Sequence, residues 1–155
     1  MGVSLRCQGV KTPTAPLRAD ARKLLAVLGR TDAELSVLLC DDEFIRDLNL
    51  QWRQKDEPTD VLSFEMGDPV VLGDIVVSLD TATRQASERG HDLHTELRVL
   101  LVHGLLHLLG HDHEVEGEDA EMAAEENRLL LALGVAPIGL VARAHGGVVG
   151  GGKQV

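Results

Sequence analysis

The chain has 155 residues, with 44% hydrophobic and 26% charged side chains, the range of one globular domain able to bury a core. Its two cysteines, Cys7 and Cys40, form neither a disulfide framework nor a CxxC clip, and no charged-then-apolar leader is visible, which together predict a cytoplasmic protein. A net charge of −10 speaks against a polyanionic partner. However, eight of the acids fall within residues 112–126, which hold no Lys or Arg, and the rest of the chain carries only −2.

In chain order, Leu17, Ala21, Leu24, Leu25 and Leu28 recur at helical spacing, with Gly29 as a stop. The segment ELSVLLC (34–40) reads as a strand. Asp41 or Asp42 caps a second helix with an expected buried stripe of Phe44, Ile45, Leu48 and Trp52. TDVLSFEM and GDIVVSL are two further strands, separated by the turn-rich GDPVVLG. A short helix capped by Asp80 or Thr81 ends near Gly90. The long helix over 93–109 carries its apolar stripe at Leu93, Leu97, Leu100, Leu101, Gly104, Leu105 and Leu108, and Gly110 ends it. The apolar run within it is broken by an arginine, histidines and a glycine, which excludes a membrane span. A last helix over 118–133 is acidic on one side and leucine-rich on the other, and the acidic side reads as a solvated face. Residues 1–138 form one domain, and the Gly-rich tail 139–155 is expected to be disordered. Strands grouped before helices predict an α+β domain with a small mixed sheet.

The chemistry concentrates in HGLLHLLGHDH, residues 103–113. On a helix, His103 and His107 differ by about 40° in direction and one turn in height, so both imidazoles can bind one ion. A tetrahedral site needs a third ligand from beyond the helix. Gly110 supplies a turn, after which His113 can swing back; His111 is the alternative, with less reach. Three neutral imidazoles leave a fourth position open, the arrangement of catalytic rather than structural zinc. Asp112 is a candidate to orient one imidazole. The spacing is that of metzincin proteases, except that Gly104 replaces the glutamate that serves as their general base. Peptide hydrolysis by that route is therefore not expected. Glu96, on the same side, lies about 10 Å along the axis from His103, too far to act as ligand or base.

HGLLHLLGHDH resembles the HGxLHLxGYDH signature of the YbeY family, bacterial metal-dependent endoribonucleases of ribosomal RNA maturation. LNLQWRQKDEPTDVLSFE resembles that family's LNxxYRxKDxPTDVLSFP segment, LGDIVVS its LGDIxIS strand, and ELRVLLVHG the approach to its histidines. The departures are Trp52 for tyrosine, Glu65 for proline and His111 for tyrosine, the last of which leaves the third ligand open between His111 and His113. The resemblance implies an α+β fold with a small mixed four-stranded sheet packed with helices and a zincin-like metal helix. It implies one Zn2+ held by His103, His107 and His113, with His103 and Arg53 as catalytic residues. Arg53 suits that role chemically, because a guanidinium can grip two nonbridging phosphate oxygens as charge builds on phosphorus. Lys55 adds positive charge nearby, and Thr59 and Asp60 start a strand, with Asp60 placed to brace the site.

The expected function is a zinc-dependent, single-strand-specific endoribonuclease that matures the 3′ end of 16S ribosomal RNA and serves ribosome quality control. The attacking group is water or the RNA 2′-hydroxyl. The alternatives are a ribosome-assembly factor with structural zinc, or a metal-dependent hydrolase of another class. The expected partners are precursor ribosomal RNA and, since low basicity and scarce aromatics disfavour binding through RNA alone, ribosomal proteins or a ribosome-assembly GTPase. Neither DNA nor a membrane is among them.

Overall fold

The computed structural model describes residues 2–112 and 117–135. The elements are β1 (Val3–Gln8), α1 (Ala15–Val27), β2 (Glu34–Cys40), α2 (Asp42–Arg53), β3 (Val61–Glu65), β4 (Val71–Ser78), α3 (Leu79–Arg89), α4 (Leu93–Leu108) and α5 (Asp119–Ala132). This is an α+β fold. The tail 139–155 and His113 lie outside the described residues.

The sheet is mixed and four-stranded, in the order β1-β2-β4-β3. β1, β2 and β4 run parallel, with Val37 opposite Leu5 on one side and Ile75 on the other. β3 is the antiparallel edge, pairing Val61 with Val77 and Glu65 with Gly73. The sequence pattern names three of these strands and passes over β1, although Val3 and Leu5 alternate with exposed Ser4 and Arg6, the period-two pattern of a half-buried strand. Gly73 sits where β4 meets β3 with φ +134, and a Cβ there would lie 2.2 Å from the Phe64 carbonyl oxygen. No other residue fits that close approach.

Alternate residues of each strand face opposite layers. Leu35, Val37, Leu39, Ile75 and Val77 join the main core with α1, α4 and α5, while Leu62, Val76 and Cys40 face Ile45 of α2. α2 therefore lies on one face of the sheet, and α1, α4 and α5 on the other. The Asp41 carboxylate caps α2 by accepting the Phe44 N–H at 2.9 Å. Ile45 and Asn49 are its fully buried positions, not the expected Trp52, which is 46% exposed and meets Phe64 edge-on at 6.0 Å. α3 is capped two or three residues earlier than expected: Ser78, rather than Asp80 or Thr81, accepts the Thr81 N–H at 3.1 Å. The same hydroxyl donates to Asp42 at 2.6 Å, which ties the starts of α2 and α3 together and explains why a serine ending β4 serves as the cap.

α4 is the centre of the molecule. Twelve of its sixteen residues are buried, where each large aliphatic side chain contributes roughly 1.5–3 kcal/mol. A helix hydrophobic on all sides belongs inside a core. Asp92 caps it by accepting the Thr95 N–H at 2.8 Å. At the other end Gly110, with φ +98, lets its own N–H reach His107 O and the His111 N–H reach Leu106 O, both at 3.0 Å. That is the left-handed helix stop expected of a glycine.

Candidate metal centre

His103 and His107 lie one turn apart on α4 and are 1% and 4% exposed. Their Nε2 atoms stand 3.1 Å apart, with ring centroids at 4.6 Å and planes inclined by 79°. Two nitrogens each 2.0–2.1 Å from one tetrahedral zinc would be separated by about 3.3 Å. The pair fits a shared ion. Among the described residues no cluster of three or more His, Cys, Asp and Glu side chains is placed to hold a metal. His113, the third ligand favoured from sequence, lies outside them. His111 follows Gly110 and is half-buried, and Asp112 beside it is buried.

Opposite the pair, Glu126 of α5 is 0% exposed and places Oε2 2.7 Å from Nδ1 of His103. Sequence reasoning misses this residue by assigning the acidic segment to solvent. That assignment holds for Glu118, Asp119 and Glu121, which are exposed. It fails for Glu126, which shares its face with buried Met122, Leu129 and Leu130. The signal is nonetheless present: Glu126 follows Met122 by four positions and precedes Leu129 and Leu130 by three and four, so it falls on the apolar stripe.

Gly104, where a metzincin carries its base, faces the sheet. A Cβ there would meet Ile75 Cγ2 at 2.8 Å, Ser63 Oγ at 3.1 Å and Val61 Cγ2 at 3.3 Å. The Ser63 hydroxyl donates to the Gly104 carbonyl at 2.8 Å. This glycine allows α4 to lie tightly on β3 and β4, and no longer side chain fits.

Arg53 ends α2, on the opposite face of the sheet from α4. Gln54 comes next in the left-handed region, φ 57, and reverses the chain. Residues 54–60 then lead round the edge to β3, held by the Asn49 amide donating to Glu57 O at 2.8 Å. This loop delivers Val61 against Gly104, the neighbour of His103. Thr59 and Asp60 are buried just before the strand, close to the expected start. Asp60 Oδ1 accepts the Val61 N–H at 2.7 Å, and Gln85 Nε2 reaches Oδ2 at 3.4 Å. Burial pushes its carboxyl up to about 6, with the charge of Glu96 adding to the rise. Glu96 itself is buried against His91 Nε2 at 2.7 Å. It braces the start of α4, about two turns from the nearer histidine, His103, in keeping with its axial offset.

No helix among the described residues is long and apolar enough to cross a membrane. The chain is similar to the endoribonuclease YbeY of Anaeromyxobacter dehalogenans, at 52% identity over 123 residues, 77% of this chain and 64% of that protein. The chain thus spans just under two thirds of that relative's length. It is 51% identical over 118 residues to the endoribonuclease YbeY of Aquifex aeolicus, covering 73% of this chain and 79% of that one. Its fold resembles the solution structure of TM1509 from Thermotoga maritima, with a TM-score of 0.65 at 28% identity, over 84% of this chain and 88% of the other. The family model described as endoribonuclease YbeY matches residues 7–134, and the chain belongs to that family.

Proposed function

We propose that this chain is a zinc-dependent endoribonuclease that cuts single-stranded segments of precursor ribosomal RNA, at the 3′ end of 16S ribosomal RNA, in the cytoplasm. The observation that carries this reading is the buried pair of imidazole nitrogens 3.1 Å apart, in a family whose relatives are named endoribonucleases. His103 and His107 would hold the zinc with His113 as third ligand, and the ion would supply Lewis acidity to the phosphodiester. Three imidazoles leave room at the ion for substrate. Arg53, at the end of α2 where residues 54–60 turn round the sheet edge toward the α4 side, would reach past that edge to grip two nonbridging phosphate oxygens and neutralise the charge that develops on them. Gly104 supports RNA rather than peptide as substrate, since its position faces Ile75 and Ser63 and offers no place for a base. With a net charge of −10, delivery to the ribosome falls to ribosomal proteins or a ribosome-assembly GTPase.

The test is cleavage of a precursor 16S RNA fragment by the purified chain with and without added zinc, beside His103→Ala. Zinc-dependent cuts absent from the variant are expected. A wild-type chain that binds zinc and cuts nothing, yet restores rRNA maturation in cells lacking it, would overturn the catalytic reading in favour of an assembly factor.

A further inference from the structure

We infer that Glu126 is a positioning residue that fixes the tautomer of His103, so that the imidazole presents a lone pair at Nε2 before any metal arrives. The inference rests on the zinc proposal but concerns a property of the chain itself. Burying a carboxyl group without a partner costs several kcal/mol, so a wholly buried glutamate on an otherwise apolar helix face must be matched by a specific donor. One such partner is His103 Nδ1, at 2.7 Å from the carboxylate. In an imidazole–carboxylate contact of this kind the ring nitrogen facing the carboxylate carries the hydrogen, and that bond sets the tautomer. A neutral imidazole has only one N–H. With that hydrogen on Nδ1, Nε2 is left as the acceptor, and it is this atom that faces His107 Nε2 at 3.1 Å. That lone pair is the one His103 would offer to an ion shared with His107.

The arrangement also joins two helices. α5 is anchored to the core by Met122, Leu129 and Leu130, so the carboxyl is carried on a rigid support. His103 is packed among buried α4 residues and has little freedom to turn away. A carboxylate on the far nitrogen of a metal-binding histidine orients the ring and raises its basicity, and losing such a partner lowers metal affinity by about 10–100-fold.

The test reads ring nitrogens and metal affinity rather than RNA cleavage. In metal-free wild-type protein labelled with 15N-histidine, NMR should report His103 as the Nδ1–H tautomer. In Glu126→Gln, where a neutral amide replaces the carboxylate, the His103 signals should move toward the other tautomer or a mixture. Zinc affinity, measured by competition with a chromophoric chelator, should fall about 10–100-fold with the thermal melt still cooperative. Glu126→Asp should retain more affinity than Glu126→Gln. Should Glu126→Gln fail to fold, the wild-type tautomer measurement still decides. An Nε2–H tautomer in the wild type, or unchanged zinc affinity in a folded Glu126→Gln, overturns the inference. A wild-type chain that shows the expected tautomer but binds no zinc would instead overturn the zinc proposal and leave this one standing.

Discussion

Replacing Gly104 by alanine adds one methyl group at the tightest point between α4 and the sheet. At a solvent-facing helical position the change would stabilise, by about 1 kcal/mol of helix propensity. Here the new carbon would stand 2.8 Å from Cγ2 of Ile75 and 3.1 Å from Ser63 Oγ. Ile75 is fully buried and β-branched, so its methyl cannot swing aside. Forcing a methyl into a packed core costs about 1–3 kcal/mol, and pushing α4 outward weakens the Ser63–Gly104 hydrogen bond, which contributes about 1 kcal/mol. The propensity gain offsets about as much as the hydrogen bond loses, leaving a net loss of roughly 1–3 kcal/mol. For a chain of this size that is a fall of roughly 2–12 °C in melting temperature, read by calorimetry or circular dichroism. Repeating the substitution in an Ile75→Ala background should remove most of the penalty, because the clashing methyl is gone. A higher melting temperature for Gly104→Ala in the wild-type background would refute the packing argument, and with it the claim that position 104 is closed to a catalytic glutamate.

Arg53→Lys should keep fold and bound zinc yet lose cleavage by about 10²–10³-fold, since an ammonium cannot make the planar two-point contact; wild-type rates for both Arg53→Lys and Arg53→Ala would make it a surface residue. His103→Ala and His107→Ala should each abolish bound zinc, measured by elemental analysis, while His111→Ala should largely retain it; the assignment fails if His111→Ala empties the site and His113→Ala does not. Asp60, pushed up to about 6 by burial, binds its proton more tightly in the folded than in the unfolded chain, where its carboxyl titrates near 4. It therefore opposes folding above about pH 6, and the folded chain gains about 3 kcal/mol as pH falls from 6 to 4. Asp60→Asn should lack this component, so the melting temperature of wild type minus variant should rise toward acid pH; a flat difference would show that Asp60 titrates normally.

The backbone plan is legible in the sequence where one interaction dominates. β2 reads at its observed bounds, because an apolar run between turn residues has no other use. Gly110 marks the end of α4 through the left-handed turn that only glycine adopts freely. The features that stay hidden depend on neighbours distant in sequence. Trp52 lies on the expected stripe of α2 but meets only the edge strand through Phe64 and stays 46% exposed among the described residues. The choice of Ser78 over Asp80 as cap is set by Asp42, thirty-six positions earlier. The histidine pair is legible from spacing alone, whereas Glu126 reads with its charged neighbours and not with the apolar stripe it occupies. Gly104 reads as an absent base; only the approach of Ile75 and Ser63 reveals why a glycine is there.

The burial of α4 has a bearing on how the molecule breathes. Amide hydrogens in a helix enclosed on all sides exchange with solvent only when the whole domain opens, whereas those of exposed turns exchange through small local fluctuations. The amides of His103 and His107, buried on α4, are therefore expected among the slowest to exchange, so that small openings elsewhere leave the two rings together. Ion capture would not have to organise these two rings, because the helix that carries them is already fixed inside the core.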